Sequence, residues 1–330
     1  MESLSDEEGI DFGMSHTQHA ETWKQLKEHL PQWVTESKAH TSDGQVASYI
    51  PELANAPADV LGICIMDADG NIAVAGESDF RFTLQSISKV FTLILALMDN
   101  GEEVVFSKVG MEPTGDDFNS MLKLELVEPG IPFNPLINAG AIAISSLIAG
   151  SGPREQVERI LHFFRDIANN PSLKINQSVF QSESDTAHRN RSLAYFLKDN
   201  GVLDSEVDDV LHVYFSHCSV EVNCTDLARL ALVLAHNGVD PIRNQRLIPR
   251  RFVQIAKTFM FTCGMYNASG EFAMNVGLPA KSGVSGSILT MVPGQYGIGL
   301  VGPALNRKGN STAGVHLLGT LSQEFDWSLF

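Results

Sequence analysis

The chain has 330 residues, of which 44% are hydrophobic and 19% charged, enough apolar material for one large core or two that share a cleft. Its 39 acidic against 23 basic residues leave a formal charge of −16, which repels phosphate backbones and anionic lipid surfaces and argues against nucleic acid or membrane as a partner. Cys64, Cys218, Cys224 and Cys263 are widely spaced, with no C-x-x-C pair and no clustered histidines, so free thiols are expected and a structural zinc site is not.

In chain order, residues 1–20 are charged, small and aperiodic and predict a flexible N-terminal extension. Their start, MESLSDEEG, lacks the basic and apolar segments of a signal peptide, and no later run of about 18 apolar residues could span a bilayer; a cytoplasmic protein is the expectation. From Glu21 the spacing of Trp23, Leu26 and Leu30 predicts a helix, which Pro31 and the polar residues His40 to Gly44 should end. VLGICIMDADGNIAVAGE, residues 60–77, alternates and turns like a β-hairpin; its DADG lacks the sixth-position glycine and final glutamate of a calcium loop.

Helical patterns follow at 86–99, 138–150, 154–170 and 225–238, the last stopped by Asn237 and Gly238. The end of the chain returns to strands in KSGVSGSILTMVP and GIGLVGPAL, separated by a turn at Gly294 to Tyr296, and then to a helix from Ser311. Strands at both ends with helices between them predict an α+β fold, an antiparallel sheet flanked by helices, in one catalytic domain over 21–330 with a helical subdomain inserted at about 86–260.

The stretch SISK, residues 86–89, opens the first of these helices. Residues i and i+3 share a helical face, so Lys89 can bring its amine to the Ser86 hydroxyl. A lysine with its usual pKa of about 10.4 is a poor base, but the apolar VFTLILALM that follows could bury the amine and lower it. Unpaired N–H groups at the helix start could stabilise an oxyanion formed by attack of Ser86 on a carbonyl.

Far downstream, LPAKSGVSGSILTMVP places Lys-Ser-Gly at the start of a β-rich run. An S-x-x-K helix followed by a K-[ST]-G strand resembles serine β-lactamases and penicillin-binding proteins. Other nucleophile schemes fit less well: GVSGS has serine where a G-x-S-x-G elbow needs its second glycine, and no H-E-x-x-H occurs.

Seven blocks in order then resemble one branch of that fold, the serine-dependent glutaminases, across about residues 21–318. They are SYIPELA at 48–54, LQSISKVF at 84–91, EPTGDDFNS at 112–120, NPLINAGAI at 134–142, FQSESDTAHRN at 180–190, YFSHCSVEVNC at 214–224 and CGMYNASGEFAMNVGLPAKSGVSG at 263–286. The resemblance implies a β-lactamase-like fold and hydrolysis of the side-chain amide of L-glutamine, without metal or organic cofactor. It implies Ser86 as nucleophile, Lys89 as base and Tyr266 as a phenol that relays or holds a proton, with the N–H groups of Ser86 and Val284 as oxyanion hole. Tyr49, Asn138, Glu183, Asn190 and Tyr214 are implied around the amino-acid end of glutamine, and a homodimer or homotetramer as the assembly.

The chemistry of that set is consistent. An α-ammonium is best met by a carboxylate such as Glu183, and an α-carboxylate by neutral donors such as Asn138, Asn190 and the tyrosine hydroxyls. Two other readings use the same residues: a β-lactamase or peptidase relative, which penicillin-like compounds should acylate, and a catalytically silent amino-acid sensor. Whether Lys89 or Tyr266 takes the Ser86 proton stays open at this level.

Overall fold

A computed structural model of the protein describes residues 16–114 and 130–330. Part of the expected extension, residues 1–15, and most of the block at 112–120 therefore lie outside the described residues. Among the described residues, ten strands and eleven α-helices are found. The strands are β1 Gly62–Met66, β2 Ile72–Gly76, β3 Phe82–Thr83, β4 Lys174–Ile175, β5 Val220–Val222, β6 Val239–Asp240, β7 Gln245–Arg246, β8 Ala280–Ser282, β9 Ser287–Val292 and β10 Tyr296–Val301. The helices are α1 His16–Lys38, α2 Ser88–Lys108, α3 Asn138–Ser145, α4 Pro153–Ala168, α5 Gln177–Thr186, α6 His188–Asp199, α7 Val207–Cys218, α8 Cys224–Ala235, α9 Arg250–Cys263, α10 Ser269–Asn275 and α11 Thr312–Phe325.

The principal sheet is antiparallel, in the order β2-β1-β10-β9-β8. It joins strands from both ends of the chain, with Ile63 opposite Leu300 and Lys281 opposite Leu289. Period-two alternation sends successive side chains to two separate cores. Ile63, Ile65, Ile288, Ile298 and Leu300 pack with Leu26, Leu30 and Val34 of α1 and Leu317 and Leu321 of α11. Cys64, Met66, Leu289 and Met291 pack instead with the helices α2, α3, α4, α7 and α8.

The central helix α8 lies on β10 because that strand reads GIGLV. A Cβ at Gly297 would come within 2.2 Å of the Ala228 carbonyl, and one at Gly299 within 2.4 Å of the Cys224 carbonyl. The same residues that make the strand look weak in propensity are thus required by the helix above it.

The expected hairpin at 60–77 is β1 and β2. The buried Asp67 carboxylate closes its turn, accepting from the Asp69 and Asn71 backbone N–H groups at 3.0 and 2.8 Å. All four cysteines are free, as expected. The expected helices at 154–170 and 225–238 are α4 and α8, and that at 86–99 is α2, which starts two residues later and runs on across a kink at Gly101 to Lys108.

Two expectations on boundaries need correction. The first helix begins at His16, before Glu21, and passes through Pro31 to Lys38. A proline inside a helix costs about 3 kcal/mol, but Leu26, Leu30 and Val34 form one buried stripe, and burying three aliphatic side chains contributes roughly 5 to 9 kcal/mol. Helix α3 ends at Ser145, not Gly150, where the Ser146 hydroxyl turns back onto the Ala143 carbonyl. Helices α5, α6, α7, α9 and α10 are not among the individual helical stretches read from the sequence, although the first three and most of α9 fall within the expected helical subdomain at about 86–260.

Candidate active site

The chain leaves β3, makes a single 3-10 turn over Gln85–Ile87, and enters α2 at Ser88. Ser86 therefore lies in the turn, not in the first turn of the α-helix, and is 8% exposed. Gln85, just before it, has φ = +49°, a left-handed conformation that costs a side chain such as glutamine roughly 1 to 3 kcal/mol. Six non-glycine residues have positive φ among those described; four are Asn or Asp, which tolerate it, and the other two are Gln85 and Tyr266. Both exceptions flank Ser86.

Tyr266 opens another 3-10 turn and is half-buried. Its phenol donates to the Ser282 carbonyl at 3.0 Å and is also hydrogen-bonded to the Ser86 side chain. Burial raises the phenol above its usual range, with the Ser86 contact opposing, so Tyr266 keeps its proton at neutral pH.

Lys89, the second residue of α2, is fully buried. It donates to Asn138 Oδ1 at 2.7 Å and to the Leu136 carbonyl at 3.3 Å. Burial pulls the ammonium down to about 8, while Cys218 and Glu183 act in the other direction. Asn138, the first residue of α3, passes the contact on by donating to Asn190 Oδ1 at 2.9 Å.

Glu183 sits on α5, whose start is capped by the Asn176 side chain. It is 5% exposed, and its Oε2 has no hydrogen-bond partner among the described residues. Burial pushes the carboxyl up to about 8, against the pull of Lys89. A buried acceptor left without a donor costs roughly 1 to 3 kcal/mol, and it is the kind of group a cationic ligand would satisfy.

Tyr214 of α7 is buried within electrostatic reach of Glu183 and Tyr49, and the Lys89 ammonium lies 6.0 Å from its ring centre. Tyr49, 54% exposed, lines a cavity of about 540 Å³ together with Tyr266, Val284 and the segments 43–48 and 305–309. All nine residues named from the sequence are thus gathered at one place: Ser86 against Tyr266, Lys89 against Asn138 and Asn138 against Asn190, Glu183 and Tyr214 beside Lys89, and Tyr49 and Val284 at the cavity wall.

The loop that carries Val284 is stitched to the strand preceding Ser86. Ser285 Oγ donates to the Thr83 carbonyl at 2.7 Å, and a Cβ at Gly283 would fall 2.8 Å from the Leu84 carbonyl. The glycine of Lys-Ser-Gly is the residue that allows this approach.

One residue belongs to the site although the sequence reading uses it only as a motif marker. Lys281 is fully buried, donates to the Gly264 and Ser282 carbonyls at 3.0 and 2.7 Å, and lies 4.3 Å from the centre of the Tyr266 ring. Burial pulls its ammonium well below the usual lysine range, and Lys89 adds to the shift. The K-[ST]-G pattern was the available signal for it.

Comparison with known proteins decides what this arrangement belongs to. A family model described as Glutaminase matches residues 44–330. The chain belongs to the glutaminase family. Glutaminase 1 of Halalkalibacterium halodurans is 54% identical over 308 residues, which cover 93% of this chain and all of that protein.

A crystal structure of a probable glutaminase from Bacillus subtilis superposes with TM-score 0.87 at 42% identity, covering 92% of this chain and 97% of the other. Another is a covalent complex between a Bacillus subtilis glutaminase and 5-oxo-L-norleucine, formed by reaction of that protein with 6-diazo-5-oxo-L-norleucine; it has TM-score 0.83 and 40% identity and covers 92% of this chain and 99% of that one. This glutaminase is accordingly a hydrolase of the glutamine side-chain amide on a β-lactamase-like fold. No helix among its described residues is long and apolar enough to cross a membrane.

Proposed function

We propose that the glutaminase reaction runs through a γ-glutamyl ester on Ser86. The observation that carries this reading is the paired chemistry of two buried groups. Ser86 is hydrogen-bonded to a phenol held by strained backbone, and beside it Glu183 keeps an unpartnered oxygen in a dry pocket. The first suits attack on an amide carbon and the second suits a substrate ammonium.

Glutamine enters through the cavity at Tyr49 and sets its α-ammonium on Glu183, with Asn138, Asn190 and the tyrosine hydroxyls of Tyr49 and Tyr214 facing its α-carboxylate. The Ser86 hydroxyl attacks the side-chain carbon while its proton goes to the neutral amine of Lys89. Tyr266, whose own hydrogen goes to the Ser282 carbonyl, accepts a hydrogen bond from Ser86 and aligns the hydroxyl for attack. Neutral Lys89, with an ammonium pKa brought down to about 8, is the base that stores the proton and supplies it to departing ammonia. The Ser86 and Val284 N–H groups receive the developing oxyanion, each such donor contributing about 3 kcal/mol. Water then attacks the ester, the proton path runs in reverse, and glutamate leaves.

A burst of ammonia ahead of glutamate, read by rapid quench, together with a Ser86-linked mass increase equal to a γ-glutamyl group, is the expected result. Simultaneous release with no adduct on Ser86 removes the covalent reading. We further infer a cytoplasmic homo-oligomer, dimer or tetramer, on family resemblance; light scattering on the purified chain should give two or four times its mass.

A further inference from the structure

Behind the nucleophile the apolar core contains a polar cluster that the reaction scheme does not use. His217, near the end of α7, is fully buried. Its Nδ1 lies 2.7 Å from Ser88 Oγ, and its Nε2 lies 3.0 Å from Ser145 Oγ. Ser88 Oγ is also 2.6 Å from the carbonyl of Gln85, the left-handed residue that precedes Ser86. Ser145 Oγ is 2.8 Å from the Ala141 carbonyl and closes α3, the helix that starts with Asn138. The imidazole edge also meets the Tyr214 ring, 5.3 Å centre to centre at 87°. One ring thus joins the Ser86 turn, the helix that holds Lys89 through Asn138, and the helix that carries Tyr214.

The hydrogens in this cluster can be counted. Each serine has one to donate, and a neutral imidazole has one. Burial, with Lys89 nearby, holds the ring down at about 3, so it is neutral in use and cannot donate to both serines. One serine must turn its hydrogen to the ring and give up its carbonyl. The shorter pair of contacts is on the Ser88 side, which places the ring hydrogen on Nδ1, the Ser88 hydrogen on the Gln85 carbonyl, and the Ser145 hydrogen on Nε2. A leucine would fill the same space without desolvating three polar groups, so the cluster needs a reason other than packing.

We propose that His217 is a positioning residue for the reaction at Ser86: through Ser88 it holds the Gln85 carbonyl, and with it the left-handed turn that aims the nucleophile. The inference rests on Ser86 being the nucleophile. A hydroxyl displaced by about 1 Å from its attack geometry can lose roughly a hundredfold in rate, which sets the scale of the effect.

Three variants separate the two sides of the ring. His217→Asn keeps an amide where Nδ1 stands, His217→Gln keeps one where Nε2 stands, and His217→Leu keeps neither. Steady-state kinetics on L-glutamine, with thermal melts on each variant, should show kcat down about 10- to 100-fold in His217→Leu and His217→Gln, KM within about threefold, and kcat largely restored in His217→Asn.

In a Ser88→Ala background, His217→Leu should cost nothing further. Unchanged kcat in His217→Leu, His217→Gln outperforming or matching His217→Asn, additive losses with Ser88→Ala, or losses that only track the unfolded fraction would each overturn the proposal. If His217→Leu does not fold, the Asn and Gln variants still decide. Labelling the wild-type protein with 6-diazo-5-oxo-L-norleucine and locating the adduct by mass spectrometry checks the foundation separately. An adduct on Ser86 supports it, and an adduct elsewhere takes the nucleophile reading and this one down together.

Discussion

Two lysines are buried on opposite sides of Ser86, and their surroundings differ. Lys89 belongs to the helical side: it has a side-chain acceptor in Asn138 and a carboxyl group, Glu183, close enough to pull its ammonium back up. Lys281 belongs to the sheet side, on β8, where its acceptors are two backbone carbonyls and Lys89 repels its ammonium, with Cys263 and Cys218 acting the other way. The lesson is a division of labour. The helical side keeps groups that can change protonation near neutral pH, whereas the sheet side fixes geometry: the Tyr266 ring under Lys281, the Val284 loop, and the close approach at Gly283.

The largest effect should come from the atom both sides converge on. Ser86→Ala removes the hydroxyl that the ester needs while keeping a residue the turn accepts, so kcat should fall by at least about 10⁴-fold with little change in melting temperature. Glutamate production within tenfold of wild type would remove Ser86 from the centre of the comparison.

Next, the two lysines should not be equivalent. Lys89→Ala deletes the proton store and should lower kcat by about 10³-fold. Lys281→Met leaves that store intact and only loosens Tyr266, so about tenfold is expected, with KM nearly unchanged. If the two variants were equally impaired, both sides of the site would be carrying protons and the division would fail.

Glu183→Gln tests the substrate-holding part of the helical side while keeping Ser86, Lys89 and Tyr266, although it also removes the upward pull of the carboxylate on Lys89. The amide keeps the size of the carboxylate but removes the charge that meets the substrate ammonium. Losing a charge-assisted bond in a dry pocket costs about 2 to 4 kcal/mol, or roughly 30- to 1000-fold in kcat/KM. A glutamate that served only to pack α5 would show its loss in the melting temperature instead, with kcat/KM unmoved.

How far the sequence could carry this picture depended on what kind of signal each residue leaves. Short polar motifs fixed in apolar surroundings, SISK and KSG, were readable, and so was the hairpin at 60–77, because spacing alone encodes them. Helix α5 was not: QSVFQSESDT has only two fully buried side chains, Val179 and Glu183, so no apolar stripe announces it. The run of α1 through Pro31 was hidden because a local penalty is outweighed by packing on a sheet whose strands lie far away in sequence. The left-handed Gln85 and the His217 cluster leave no trace in spacing, since both exist only when α2, α3 and α7 are brought together.

The smallest effect is the most specific to the comparison, because it asks on which side the titrating groups lie. Burial lowers Lys89 to about 8 and raises Glu183 to about 8. Catalysis needs Lys89 neutral, to take a proton, and Glu183 ionised, to hold the ammonium. Both competent forms are the deprotonated ones, so kcat/KM should rise with pH through about 8 and fall as pH drops below it. Both groups lose their competent forms as pH falls, so the acid limb should have a steeper slope than one proton alone would give. Glu183→Gln should reduce that slope to one by removing one of the two protons. Lys281→Met should lower the whole profile; if Lys281 is neutral where Lys89 titrates, as the division requires, the inflection stays in place. Measured from pH 6 to 9 with folding checked at each end, an inflection that moves by a full unit in Lys281→Met, or a wild-type profile that is flat, would show that the sheet side takes part in the titration after all.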